Sequence, residues 1–281
     1  MAGKIVDEQE KNVEQKKPGR ERNPAAASIP APTSPSEPNM IEVEGLPSRC
    51  LFYPSGTIIR ARPLKVIEVK KLSTLNETNA EHVINDVIRR ATTGIAVEDL
   101  LVADKLYIVF WLRSNTYNEA GYNVDFHCNK CQQDSSYEFS LDNLEVKYVP
   151  ENFNMEKLQI SLPNGKEVEW SHPRVKDERK KAKFRASFAA LIPDLDEDIL
   201  SQAVNIQTID GEDLPLIDKY NWIAELDAKT YSKLITEMEE NDCGIKPILN
   251  VVCKKCGGTA PVAVTFQDEF FLPRYKTSTD S

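Results

Sequence analysis

The residues best equipped for chemistry are four cysteines in two C-x-x-C pairs. Cys128 and Cys131 lie in Phe126-His127-Cys128-Asn129-Lys130-Cys131, and Cys253 and Cys256 in Val251-Val252-Cys253-Lys254-Lys255-Cys256-Gly257-Gly258. A pair of thiols two residues apart can grip one side of a divalent cation, and two such turns can close a tetrahedral zinc site of four sulfur ligands. The long stretch between the pairs says only that something is inserted between the two turns. Four thiolates around one divalent ion carry a formal charge of about minus two. Lys130, Lys254, Lys255 and the turn amides lie where they can offset it, and Gly257 and Gly258 let backbone N–H groups turn toward sulfur. With every position taken by protein, one zinc ion is expected as a structural clamp, not a catalyst. The alternatives are free thiols or a redox dithiol. A redox C-x-x-C opens a helix, and neither of these pairs does.

The flanking residues say what must position the thiols. Tyr122, Val124 and Phe126 precede the first pair, and Tyr137, Phe139 and Leu141 follow it. Ile248, Leu249 and Val251 precede the second, and Val262, Val264 and Phe266 follow it. Apolar residues at period two on both sides of a tight turn predict two hairpins with cysteines at their tips.

Other chemistry is sparse. His82 falls on a predicted helix and His172 precedes a proline, so both are read as ordinary surface or semi-buried residues. His127 adjoins Cys128 and could stand in for a cysteine ligand, but four thiols already complete the set. Cys50 and Cys243 are read as ordinary semi-buried thiols. No glycine-rich phosphate loop, nucleophile elbow or helical pair of metal-binding histidines occurs, and no catalytic residue is assigned. The acidic stretch Asp194–Asp198 fits the first turn of a helix better than a divalent-metal site.

Composition bounds the rest. The 281 residues carry a formal charge of −9, and residues 1–40 hold six basic and six acidic side chains, so the excess lies in the remainder. An acidic body argues against non-specific binding to nucleic acid or anionic membrane. The longest apolar run, Leu106 to Leu112, is too short to span a bilayer. The N-terminus is charged and lacks an apolar signal region, so cytoplasmic synthesis is expected. Six cysteines then suit a reducing compartment and metal binding.

Along the chain, residues 1–40 are charged and then proline-rich, and are expected to be a disordered tail. Residues 41–149 form the N-terminal part of the core with the first knuckle. A strand is expected over Thr57–Leu64, and helices over Val66–Leu75, Asn79–Ala91 (stopped near Gly94), and from Val97 through Leu112 with Glu98 and Asp99 in its first turn. The Leu106–Leu112 run could be a buried strand instead, but the acidic start and the length favour a buried helix. The first knuckle hairpin spans Gly121 to Leu144, with a trailing strand at Glu145–Val149. Residues 150–245 are an insertion. It opens on a hairpin turned at Asn164-Gly165 and continues into Arg174–Arg185, which contains seven Lys or Arg. That run is read as the solvated face of a helix rather than a nucleic-acid patch, since no aromatic residues interleave it. A helix is expected over Leu216–Leu226, and another capped by Asp227 and ended by Gly244. Residues 246–273 complete the core with the second knuckle, and 274–281 form a loose end. The fold class expected is α+β: a β-hairpin zinc-knuckle core, an N-terminal helical segment, and a large α+β insertion between the knuckles.

Several stretches, taken in order, resemble a known family. Leu46-Pro47-Ser48-Arg49 followed by Tyr53, then Ile59-Arg60-Ala61-Arg62-Pro63-Leu64, then Glu98-Asp99-Leu100-Leu101-Val102-Ala103-Asp104, the first knuckle with its Tyr137–Leu144 strand, and the closing Phe270-Phe271-Leu272-Pro273 are similar to the T-even-type baseplate hub proteins of contractile-tailed bacteriophages. The resemblance runs from Leu46 to Pro273. It departs at Cys50, where the family pattern implies glycine. It implies a non-enzymatic baseplate hub component or hub assembly factor, made in the host cytoplasm and working by protein–protein contact. Its partners would be other hub and tail proteins, with the tape measure as a candidate, and its destination the virion tail baseplate. The alternative on residue chemistry is a zinc-ribbon module binding nucleic acid through Arg174–Arg185.

Overall fold

A computed structural model describes residues 39–272 apart from 77, 118–121, 141–142, 189 and 265–267. The expected disordered tail therefore lies outside the described residues up to position 38, as do the loose end at 274–281 and the strand-alternation residues Leu141 and Phe266. The fold is mixed α+β, with short antiparallel sheets and helices around two clusters of buried side chains.

The first cluster draws on both ends of the described chain. β1 (Ile41–Glu42), β2 (Arg60–Ala61) and β3 (Thr92–Thr93) pair antiparallel in that order. The strand expected over Thr57–Leu64 shortens to two paired residues. Pro63 offers no donor to continue the ladder, and the preceding backbone is engaged differently. There the Val43 N–H donates to the Ile59 carbonyl (2.9 Å), and Gly94 comes up beneath the Ile58 carbonyl. A Cβ on Gly94 would stand 2.0 Å from the Ile58 oxygen, and its φ is +102°. Gly94 thus serves this backbone approach rather than helix termination. Gly94→Ala is expected to destabilise the fold by roughly 2–3 kcal/mol, from overpacking plus left-handed strain, and thermal unfolding of the variant measures it.

α1 (Val66–Leu72) and α2 (Ala80–Ala91) follow. In α2 the buried residues Ile84, Val87, Ile88 and Ala91 recur at helical spacing and make one face. α1 stops short of the expected Leu75: it buries Val69 and Leu72, while Val66 and Ile67 are exposed. α2 ends at Ala91, where the Thr92 hydroxyl donates to the Ile88 carbonyl (2.7 Å) and the chain turns extended.

The helix expected from Val97 is two pieces, a single 3₁₀ turn (Val97–Asp99) and then α3 (Val102–Tyr117). The break has a cause in hydrogen bonding. Leu101 N–H donates to Tyr53 Oη (2.9 Å), Leu100 O accepts from Val175 N–H (2.9 Å), and Val102 N–H donates to Pro173 O (2.9 Å). Those groups cannot also serve a helical ladder. α3 carries the Leu106–Leu112 run as helix, burying Ile108, Val109, Phe110 and Leu112. At its start Asp104, fully buried, accepts from the Ser48 backbone N–H (3.0 Å), the Ser48 hydroxyl and Tyr53 Oη (2.6 Å). This gives Ser48 and Tyr53 of the N-terminal motif a physical role. It fastens the segment before β2 to the start of α3. Arg49 and Cys50 both take left-handed backbone, φ +50° and +58°, so the position where the family pattern implies glycine is one that glycine suits.

The second cluster is built from 158–238. β7 (Gln159–Ser161) and β8 (Glu167–Trp170) form the hairpin turned at Asn164-Gly165, and β8 also pairs with β9 (Ile206–Ile209). α4 (Val175–Phe188), α5 (Glu197–Asn205), α6 (Leu216–Ala224) and α7 (Ala228–Glu240) complete it around Phe184, Leu200, Ile223 and Leu234. Asp196 caps α5 by accepting from the N–H groups of Asp198 and Ile199, and Asp227 caps α7 through those of Lys229 and Thr230. The acidic stretch is a helix start. α7 ends earlier than Gly244, at Glu240, where Asn241 Nδ2 donates to the Glu237 carbonyl (2.8 Å). Gly244 instead opens β10 (Gly244–Lys246), which pairs with β6 (Glu145–Lys147) and returns the chain to the first cluster.

The charges of the 174–185 run are largely committed within the chain. Lys176 pairs with Asp99 (3.0 Å), Arg179 with Glu98 (3.6 Å), Lys180 with Asp177 (2.8 Å), Lys181 with Glu178 (2.5 Å), and Arg185 with Glu197 (2.5 Å). Arg174 donates to the Asp99 and Phe52 carbonyls. A phosphate-binding stripe needs free cations, so this helix does not favour the nucleic-acid alternative.

Candidate metal centre

Two hairpins carry the cysteines, as the period-two patterns predict. β4 (Tyr122–His127) pairs with β5 (Asp134–Phe139) in register from Tyr122↔Phe139 to His127↔Asp134. β11 (Ile248–Val252) pairs with β12 (Thr259–Ala263) from Ile248↔Ala263 to Val252↔Thr259. On β4 and β11 alternate residues are buried: Tyr122, Val124 and Phe126 on one, Leu249 and Val251 on the other. The buried faces place both tips against the first cluster.

The two tips repeat one hydrogen-bond pattern. Cys128 N–H donates to Gln133 O (3.0 Å) and Gln132 N–H to Cys128 O (2.8 Å). Cys253 N–H donates to Gly258 O (2.8 Å) and Gly257 N–H to Cys253 O (2.9 Å). The fourth residue after each leading cysteine is left-handed, Gln132 at φ +58° and Gly257 at +65°. Glycine takes that conformation freely, whereas Gln132 is held by side-chain bonds to Asn129 O (2.8 Å) and His127 Nε2 (3.2 Å). Gly258 allows the tips to approach: a Cβ there would meet Lys130 Cδ at 2.9 Å and Cys256 Sγ at 3.3 Å.

The four sulfurs converge, every pair lying within 4.8 Å. Cys128 Sγ is 3.7 Å from Cys256 Sγ, and Cys131 Sγ is 3.8 Å from Cys253 Sγ. Disulfide sulfurs sit about 2.0 Å apart, so these are not disulfides. Zn–S bonds of about 2.3 Å in a tetrahedron put sulfurs about 3.8 Å from one another, and the observed separations fit. Backbone N–H groups aim at the leading sulfurs. Those of Lys255 and Cys256 bring the Cys253 thiol down to about 6, against its burial, and those of Cys131 and Lys130 lower Cys128. Burial, then the neighbouring sulfurs, push Cys131 up to about 12. The four converging sulfurs are compatible with a metal site.

His127 is turned away from the cluster. Its ring is exposed and engages Asp134 through Nδ1 (2.9 Å) and Gln132 through Nε2, so it does not replace a cysteine. His82 is exposed. Cys50 is half-buried and stands outside the sulfur cluster. His172 and Cys243 differ from expectation, being deeply buried and adjacent to Asp242. A three-residue cluster split between positions 172 and 242–243 carries no spacing signal.

The sequence family described as T4 bacteriophage base plate protein matches residues 47–272. The chain belongs to that family. Membership supports a structural base plate role and implies interaction with other base plate and tail proteins. The match begins within the Leu46–Arg49 motif and ends within the Phe270–Pro273 motif, so it takes in both hairpins and everything between them. No curated protein and no solved structure matches the chain. No helix among the described residues is long and apolar enough to cross a membrane.

Proposed function

We propose that this base plate protein is a non-enzymatic component, or assembly factor, of the baseplate hub. In this reading it acts through protein–protein contacts on a fold clamped by one zinc ion at Cys128, Cys131, Cys253 and Cys256. Family membership over residues 47–272 is the observation that carries the baseplate assignment. The hub assignment rests on the order of the N-terminal, first-knuckle and C-terminal motifs. The sulfur separations support zinc. A closed four-thiolate site has no open position for substrate, so its contribution is mechanical. It ties the hairpin at 122–139 to the one at 248–263, and we read residues 150–245 as an insertion held between them to present surface to neighbours. Other hub and tail proteins are the partners, the tape measure among the candidates.

Gradient fractionation of infected-cell lysate, with the chain quantified by mass spectrometry, tests this. Co-sedimentation with hub intermediates or finished tails is expected. Fixed copy number in finished tails would mark a structural subunit, and confinement to intermediates an assembly factor. Absence from every tail fraction, with co-sedimentation on nucleic acid, would overturn the proposal in favour of the zinc-ribbon alternative.

A further inference from the structure

Where the two clusters of buried residues meet, His172 (3 % exposed), Cys243 (5 %) and the surface-reaching Asp242 stand together. One ligating atom from each lies within 4.8 Å of the other two. His172 follows β8, and Asp242 and Cys243 link α7 to β10, so two elements of different sequence neighbourhoods are needed to assemble the group.

The imidazole is held in one orientation. Its ring centroid lies 4.1 Å from that of Phe52 and 4.9 Å from that of Trp170. Nε2 lies 2.9 Å from the Asn241 carbonyl oxygen. A carbonyl can only accept, so Nε2 carries the proton and Nδ1 bears the lone pair. Nδ1 is buried and has no hydrogen-bond partner among the described residues. A ring N–H tied to a backbone carbonyl leaves the opposite nitrogen able to take a metal ion. In a purely structural cluster that bare nitrogen would be a costly unpaired acceptor.

We propose that His172, Asp242 and Cys243 form a second divalent-metal site, separate from the four-thiolate centre, that takes zinc. A mixed nitrogen, oxygen and sulfur donor set suits zinc, or cobalt in its place, over magnesium or calcium, which prefer oxygen alone. Binding displaces the Cys243 thiol proton to solvent and leaves an anionic thiolate on the ion. Three protein ligands leave one tetrahedral position for water. Asp242, the exposed member, gives the ion its way in. The site does not depend on the four-thiolate reading, and it places a cation where the two clusters join.

Zinc counting on the purified full chain, with Co²⁺ exchange to report ligand type, tests the proposal. Wild-type protein is expected to hold two ions, and Cys243→Ala to hold one that keeps the four-thiolate cobalt spectrum. Asp242→Asn, a change at an exposed residue, is expected to weaken the second ion by at least about tenfold. A wild-type chain holding one ion with a four-thiolate spectrum would overturn the proposal, as would Cys243→Ala retaining two ions. A single ion with a one-thiolate charge-transfer band would support this site and sink the four-thiolate reading instead. Because the wild-type count and spectrum decide the matter, a variant that fails to fold leaves the test intact.

Discussion

Cys253→Ser is expected to release the zinc of the four-thiolate centre and to unfold the paired hairpins with it. Cys253 is buried at the second tip, its N–H bonded to Gly258 O (2.8 Å) and its sulfur 3.8 Å from Cys131 Sγ. The magnitude follows from comparing two ranges. Structural zinc contributes roughly 10–16 kcal/mol in small metal-folded peptides, and whole domains have net stabilities of about 5–15 kcal/mol. Losing even a fraction of the metal term exceeds what β4–β5 and β11–β12, each a two-stranded sheet, can supply alone. The expected readouts are one zinc fewer per chain, a melting midpoint lowered by roughly 10 °C or more, and new proteolysis within 122–139 and 248–263. Lys254→Ala, in the same turn at an exposed position, is expected to change little. An unaltered melting curve for Cys253→Ser would contradict the clamp.

Glu68→Ala is expected to cost about 3–5 kcal/mol, the size observed when one partner of a buried ion pair is removed. Arg62 (6 % exposed) and Glu68 (2 %) meet in a two-pronged contact, Nη1 to Oε2 at 2.8 Å and Nη2 to Oε1 at 2.6 Å. Arg62 also donates to the Pro63 and Arg90 carbonyls, and Glu68 accepts from Lys65 N–H (2.8 Å). The pair thus joins the end of β2, the start of α1 and the last turn of α2. Removing the carboxylate strands a guanidinium that cannot shed its charge. Arg62→Met with Glu68→Leu is expected to recover much of the loss. Burial raises the Glu68 pKa, but the Arg62 side chain and the Lys65 N–H more than offset it, so the folded value lies below the ordinary one. The sign follows. The contribution is present above the ordinary glutamate range and fades as pH falls through the depressed folded value. Chemical denaturation across acid pH should show a larger loss in wild type than in Glu68→Gln, whose remaining loss comes from other carboxylates held below their ordinary range, Asp86 and Asp227 among them.

The hairpins were legible because strands buried on one face alternate strictly, and the C-x-x-C tips named their own ligands. The helix over 80–91 was legible for the same reason at helical spacing. Long-range hydrogen bonding was not. Nothing local in Leu100-Leu101 reveals that their backbone groups bond to Tyr53 and Val175, so one continuous helix was expected where there are two pieces. Glycine commonly ends helices, so Gly94 and Gly244 suggest helix stops, yet one meets the Ile58 carbonyl and the other opens β10. His172 and Cys243 carry no motif, since their partnership exists only after the two clusters pack together. Arg62 and Ser48 stand out in the sequence only as parts of a resemblance, because their physical roles, a buried ion pair and a hydrogen bond to Asp104, arise only in the fold.

The most direct test of the zinc clamp is X-ray absorption at the zinc edge on the purified full chain carrying Cys243→Ala, so that the second site does not contribute. Four sulfur neighbours at about 2.3 Å are predicted. Nitrogen or oxygen neighbours in place of sulfur, or a folded chain that binds no zinc, would contradict it.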